Sequence, residues 1–294
     1  MTWDVVVHDE AEPVLEQAGA WLAARPLTAT VVATALAGSL GVPAPEHPRW
    51  WLLVLEDGEV RGVVMRTAPF APYPIYALEI PEVAVPLVAA WCRGSGQVAP
   101  VVNGVLPTSR LLARALAPAG VEPTPVERLA LLRLGGLRTP PAPPGGLRAA
   151  GVDDLEVLVP LLCRFHAEAD AQAGRPASAS HGAGGELTPA QVASLVVADR
   201  VRVWESEGRI VHVTCFNPPA LGVARIGPVL TPPEHRGRGY AAASVAAVAV
   251  ELGGRAAGVE VCLFADVENP TSTALYRRIG FEPVAELGAW GWEA

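Results

Sequence analysis

The chain has 294 residues, 51% of them hydrophobic and 18% charged, with 22 Lys+Arg against 30 Asp+Glu. Ample apolar content with little charge excludes a disordered chain, and a formal charge of −8 argues against a broad phosphate-binding surface. At ~100–200 residues per domain, this length favours two cores over one.

The N-terminus carries Asp4, Asp9, Glu10, Glu12 and Glu16 and lacks the basic, then apolar layout of a secretory leader. The longest apolar run, Ala241 to Val250, is too short to span a bilayer. Cys92, Cys163, Cys215 and Cys262 are scattered, without the spacing of a metal site or a disulfide framework. These features predict a cytoplasmic protein with no membrane or nucleic-acid partner and no metal.

In the first half, Trp50–Met65 holds an apolar run, the acidic turn around Asp57–Gly58 and a second apolar run, which predicts a β-hairpin. A helix is expected near Ser109–Ala117 and a strand near Arg128–Leu134. The stretch Gly135–Gly146 then has four prolines and four glycines among twelve residues, a linker composition. We expect domains at 1–138 and 147–294 joined by a linker at 139–146.

In the second half, Asp153–Glu156 has the form of a capping box and opens a helix reaching about Asp170, interrupted by Pro160. Residues 171–186, rich in Ala, Gly and Ser without period, are expected to form a loop, either a lid over a binding site or a plain surface connection. Thr188, Pro189 and Gln191 mark the start of a second helix. A hairpin follows, turning at Gly208, 150 residues after Gly58. Strand Val223–Leu230, helix Ala241–Leu252, strand Val259–Asp266 and helix Pro270–Ile279 complete an α+β unit with a mixed sheet.

Two segments carry chemistry. Arg236–Ala241 reads RGRGYA and joins a buried strand to a helix. Glycines there let backbone approach a ligand, and successive N–H groups at a helix start favour an anion such as pyrophosphate. About thirty residues on, Asn269 is an N-cap, Pro270 opens a helix, and Tyr276 lies about two turns along it.

Together, RGRGYA after a buried strand and the Asn269–Phe281 pattern N-x-x-S-x-x-x-Y-x-x-x-G-F resemble the GNAT superfamily of acetyl-CoA-dependent N-acetyltransferases. The resemblance implies a fold of two tandem GNAT-like domains, each a mixed β-sheet flanked by helices. The first is expected to be degenerate, because Val102–Leu112, read as the place of its cofactor turn, lacks the motif. It implies acetyl-CoA as co-substrate, bound by Val229, Leu230, Thr231, Arg236, Gly237, Arg238, Gly239, Tyr240, Ala241 and Asn269. Tyr276 is implied as the acid that protonates the leaving thiolate.

The acid usual on the strand before the turn is missing here, so Glu205, His212 and Glu234 all stand as candidate bases. The acceptor would be a small-molecule or peptide amine, and the chain a monomer or homodimer. Two other readings stay open: a non-catalytic acyl-CoA-binding or sensing module, and a mycothiol-synthase-like or aminoglycoside-like small-molecule acetyltransferase.

Overall fold

The computed structural model describes residues 1–173 and 187–293. The expected loop at 171–186 lies, beyond the end of its preceding helix, outside the described residues. Contacts divide the chain into two compact units, one of Met1–Leu129 with the C-terminal residues from Ala285, the other running from Ala130 to Val284.

The first unit begins with β1 (Trp3–His8), α1 (Ala11–Ala23) and α2 (Thr30–Ala37), followed by β2 (Trp50–Glu56), β3 (Glu59–Arg66) and β4 (Ile75–Leu78). A 3-10 turn at Glu82–Ala84 leads to α3 (Val85–Gly94), β5 (Val101–Val105) and α4 (Thr108–Leu116). Strand β6 (Thr124–Leu134) then carries the chain into the second unit. Strands β1 to β4 pair antiparallel in succession, and β4 pairs β5 in parallel. Trp51, Leu52, Leu53 and Leu78 are wholly buried, so the aromatic start of β2 serves the core.

The second unit repeats that order with β7 (Gly146–Ala149), α5 (Leu155–Leu162), α6 (Phe165–Ala173), α7 (Pro189–Val197), β8 (Val201–Ser206), β9 (Arg209–Ala220) and β10 (Val223–Leu230). A 3-10 turn at Pro233–His235 precedes α8 (Tyr240–Gly253), β11 (Glu260–Asp266), α9 (Pro270–Ile279) and β12 (Phe281–Gly291). Again three antiparallel pairings are followed by one parallel pair, β10 with β11.

The two hairpins match in detail. Asp57–Gly58 and Glu207–Gly208 are two-residue turns with both residues at positive φ (50° and 88°, 51° and 71°), the twist that suits a tight hairpin. Each hairpin has a register shift just before its turn, at Val54/Leu55 and at Trp204/Glu205.

Local signals placed α7 well: Thr188 Oγ1 accepts from Gln191 N at 3.3 Å, and Thr188 N donates to Gln191 Oε1 at 2.8 Å. The helix expected over 153–170 is instead two. Asp154 caps a 3-10 turn by accepting from Gly151 N, Pro160 lies inside α5, and the break falls at Cys163–Arg164.

The boundaries also differ from those expected at Gly135–Gly146. Strand β5 is completed by the end of β12, from Leu287↔Val105 to Gly291↔Val101, and β11 has β6 as its second neighbour. The end of each sequence half therefore supplies a strand to the unit built mainly from the other half. The Pro/Gly segment is pinned rather than free, with Gly135 N donating to Gly280 O and Arg138 N to Ile279 O, each at 3.0 Å.

Helix α8 is rich in alanine, a strong helix former whose small side chain permits close packing on the sheet. It is also tied electrostatically to the sheet, at β8. Arg202 is buried, bonds Glu251 of α8 at 2.5 Å and Asp199 at 2.7 Å, and lies over the Phe216 ring.

Candidate functional site

Strands β10 and β11 stay in register only from Val223↔Glu260 to Ile226↔Leu263. Beyond that point β10 keeps only its other partner, β9, which it pairs from Val223 onward, and after a register shift between Ile226 and Val229 that pairing ends at Leu230↔Val213. Pro228 sits in the shift and brings no N–H to a ladder. The strands thus part, leaving Gly227–Leu230 and Phe264–Asp266 as the two walls of a wedge.

The chain leaves the wedge through Thr231 and Pro232 into the turn. Gly237 and Gly239 have φ of 76° and 87°, which a side-chain-bearing residue adopts only at a cost. A Cβ added at either would meet nothing within 4 Å, so backbone conformation requires the glycines while the space before them is open. Gly239 is the N-cap of α8 and no side chain caps that helix, whose first return bond is Ala243 N to Gly239 O. The first-turn N–H groups and the positive end of the helix dipole therefore face this opening. These residues fit a pyrophosphate by geometry and by charge.

The expected ligand contacts separate here. Arg236 braces the turn: its Nε donates to Thr231 O at 3.0 Å and its Nη2 to Glu168 of α6 at 2.8 Å. Arg238 is exposed and has no carboxylate within ion-pair distance among the described residues. Tyr240 and Leu230 are buried, with the Tyr240 ring packed at 6.3 Å from Trp204, so their side chains serve the core. Val229 is half-buried against the apolar cluster that contains Tyr276, while Ala241 stands at the first turn of α8.

Asn269 is only 6% exposed and its Oδ1 accepts from Ser272 N at 3.1 Å, so it caps α9 as its position predicts. Gly280, at φ 105°, closes the same helix. Tyr276 is 8% exposed, packs edge-on against Phe281, and burial pushes its phenol up to about 12. A phenol is neutral at pH 7 even at its ordinary value near ~10, and burial disfavours its ionised form further.

The three candidate bases occupy different environments. His212 is fully buried, with Nδ1 at 2.7 Å from Thr231 Oγ1 and Nε2 at 2.8 Å from Thr214 Oγ1. Thr214 in turn meets Ser244 Oγ of α8 at 2.8 Å. Burial without a counter-charge brings the His212 imidazole down to about 3, so it is neutral at pH 7. Glu205 lies near the hairpin turn and pairs with Arg148 at 2.7 Å. Glu234 is exposed in the 3-10 turn.

The first unit differs at the corresponding place. By element order the counterpart of the β10-to-α8 turn is the β4-to-α3 connection, Glu79–Val85, not the expected Val102–Leu112, which joins β5 to α4. That connection contains Glu79 and Glu82 and neither glycine nor arginine.

Comparison with known proteins agrees with this geometry. The FR47-like protein family matches residues 214–288, from within β9 through the turn and α9 into β12. No curated protein matches the chain. Among solved structures, a tandem GNAT protein from the clavulanic acid biosynthesis pathway superposes with a TM-score of 0.59 at 16% identity, over 99% of this chain and 98% of that one. A GCN5-related N-acetyltransferase from Sphaerobacter thermophilus gives 0.55 at 21% identity, over 98% and 94%. A GNAT-family acetyltransferase from Colwellia psychrerythraea gives 0.57 at 9% identity, over 99% and 100%. The chain has the GNAT fold, and its second half is similar to the FR47-like proteins.

Proposed function

We propose that the chain is an acetyl-CoA-dependent N-acetyltransferase whose chemistry lies in the second unit, with a small-molecule or peptide amine as acceptor. The observation that carries this reading is the wedge between β10 and β11 opening onto the positive-φ glycine turn and the uncapped start of α8. Bound acetyl-CoA would supply the activated acetyl group as a thioester.

The chain's own residues then have separate tasks. The backbone of Gly237–Ala241 binds diphosphate, and Arg236 holds the turn in shape through Thr231 and Glu168. Strand β10 beyond its register shift lines the acyl group. Tyr276, a phenol that is neutral at pH 7, donates a proton to the departing sulfur. Of the candidate bases, His212 is sealed and weakly basic and Glu205 is tied to Arg148, so this reading keeps Glu234, acting through water, to take the proton of the incoming ammonium.

The first unit, with carboxylates and no glycine at the matching turn, serves as scaffold. The four cysteines, none of them in a disulfide and three of them buried, fit a cytoplasmic setting.

Calorimetric titration with acetyl-CoA tests the reading, and no binding at millimolar concentration would remove it. Tyr276→Phe should lower turnover ~10-fold or more at nearly unchanged cofactor affinity, as loss of a general acid does. An unaltered rate would take Tyr276 out of that role. Binding without thiol release across a broad panel of amines would instead indicate a sensing module.

A further inference from the structure

We propose that the second unit has a separate pocket for the phosphorylated nucleoside end of its co-substrate, and that the Pro-rich segment after β6 forms its wall. This rests on the acetyl-CoA reading above and extends it to residues outside the glycine turn.

A cavity of about 550 Å³ opens beside Gly239 at the head of α8. Three arginines from three separate elements line it: Arg138 from the Pro-rich segment, Arg238 from the turn, and Arg278 from the last turn of α9. No acidic residue lines the cavity, and none of the three arginines has a carboxylate within ion-pair distance among the described residues. In a chain whose formal charge is −8, three uncompensated guanidinium groups around one cavity mark a place for an anion.

The segment is held where it can serve. Its backbone is bonded to Ile279 and Gly280, and a Cβ at Gly280 would come within 2.1 Å of Gly136 O, so the two stretches are in close contact. Pro140 and Pro141 on the cavity side lack N–H groups and present flat apolar surface.

The volume lies inside the ~300–1,000 Å³ range of small-ligand pockets, well beyond the needs of one phosphate group. An apolar wall facing a cluster of arginines suits a purine nucleoside that carries a phosphate. The backbone of the glycine turn already accounts for the diphosphate. The remaining anion of coenzyme A, the 3′-phosphate on its ribose, is the group assigned to Arg138 and Arg278, with Arg238 between the two sites.

The test compares coenzyme A with 3′-dephospho-coenzyme A by calorimetry on the full chain. Wild type should bind coenzyme A at least 10-fold more tightly. The double variant Arg138→Ala/Arg278→Ala, altered only at exposed side chains, should reduce that preference to about one while binding the dephospho form within two-fold of wild type. Adenosine 3′,5′-bisphosphate should displace coenzyme A at far lower concentration than inorganic phosphate. Equal affinity of wild type for the two forms, or parallel loss of both in the double variant, would overturn the proposal. Equal potency of inorganic phosphate would overturn the nucleoside assignment. Binding of neither form would overturn the acetyl-CoA reading, and this pocket's role with it.

Discussion

The buried His212 makes a quantitative prediction about acid stability. In the folded chain its imidazole is held down to about 3 by burial, whereas in the unfolded chain it returns to the ordinary value near ~6.5. Between those values the unfolded state binds a proton that the folded state refuses, so stability falls as pH drops through ~6.5 and stops falling near 3. At ~1.4 kcal/mol per pH unit, lowering the pH from 7 to 5 should remove about 2 kcal/mol. Asp154 and Asp199 do not confuse this window. Hydrogen bonds from Arg148 and Arg202 hold their carboxyls below the usual range, so their contribution is present above ~4 and is lost only as pH falls below it. Urea unfolding followed by tryptophan fluorescence at pH 7, 6 and 5 would measure the effect in wild type and in His212→Asn, with His212→Gln as a second variant. Wild type should lose about 2 kcal/mol more than either variant over that interval. Parallel profiles would show that the imidazole is not buried neutral, and would refute the reasoning.

Two further outcomes follow from local geometry. Asn269→Ala removes the side-chain cap of α9 and should cost about 1 kcal/mol, seen as a melting temperature lower by roughly 2–4 °C; an unchanged melting curve would mean that the cap is redundant. Gly239→Ala forces a side chain into the left-handed region at about 1–2 kcal/mol and puts a methyl group into the open space before α8. Coenzyme A affinity should fall ~10-fold or more while the fold persists, and unchanged affinity would show that the turn is not the diphosphate cradle.

What could be read in advance was local. The capping box of α7, the Asp57–Gly58 and Glu207–Gly208 hairpin turns, the Asn269 cap and the Gly280 stop each depend on a few neighbouring residues whose backbone preferences are strong. The glycine turn was legible for the same reason. Its counterpart in the first half, expected at the glycine-bearing Val102–Leu112, falls by element order at Glu79–Val85, which has no glycine to announce it. His212 gave little warning of its burial, because Val211 to Phe216 are buried on both faces of β9 and show no polar alternation. Glu168, Arg138 and Arg278 reach the site from separate stretches of chain, and their convergence depends on tertiary packing that no short pattern encodes.

The exchange of final strands bears on how the protein could be divided. A fragment beginning at Gly146, which looks like a whole acetyltransferase domain by composition, would lack β6 and leave one side of β11 with unpaired N–H and C=O groups. It would also carry the end of β12 without β5, the strand that receives it. Such a piece should aggregate or pair with another copy of itself. During synthesis, β5 must likewise wait for the last residues of the chain before its second neighbour exists, so the first unit cannot be finished before the second has been made.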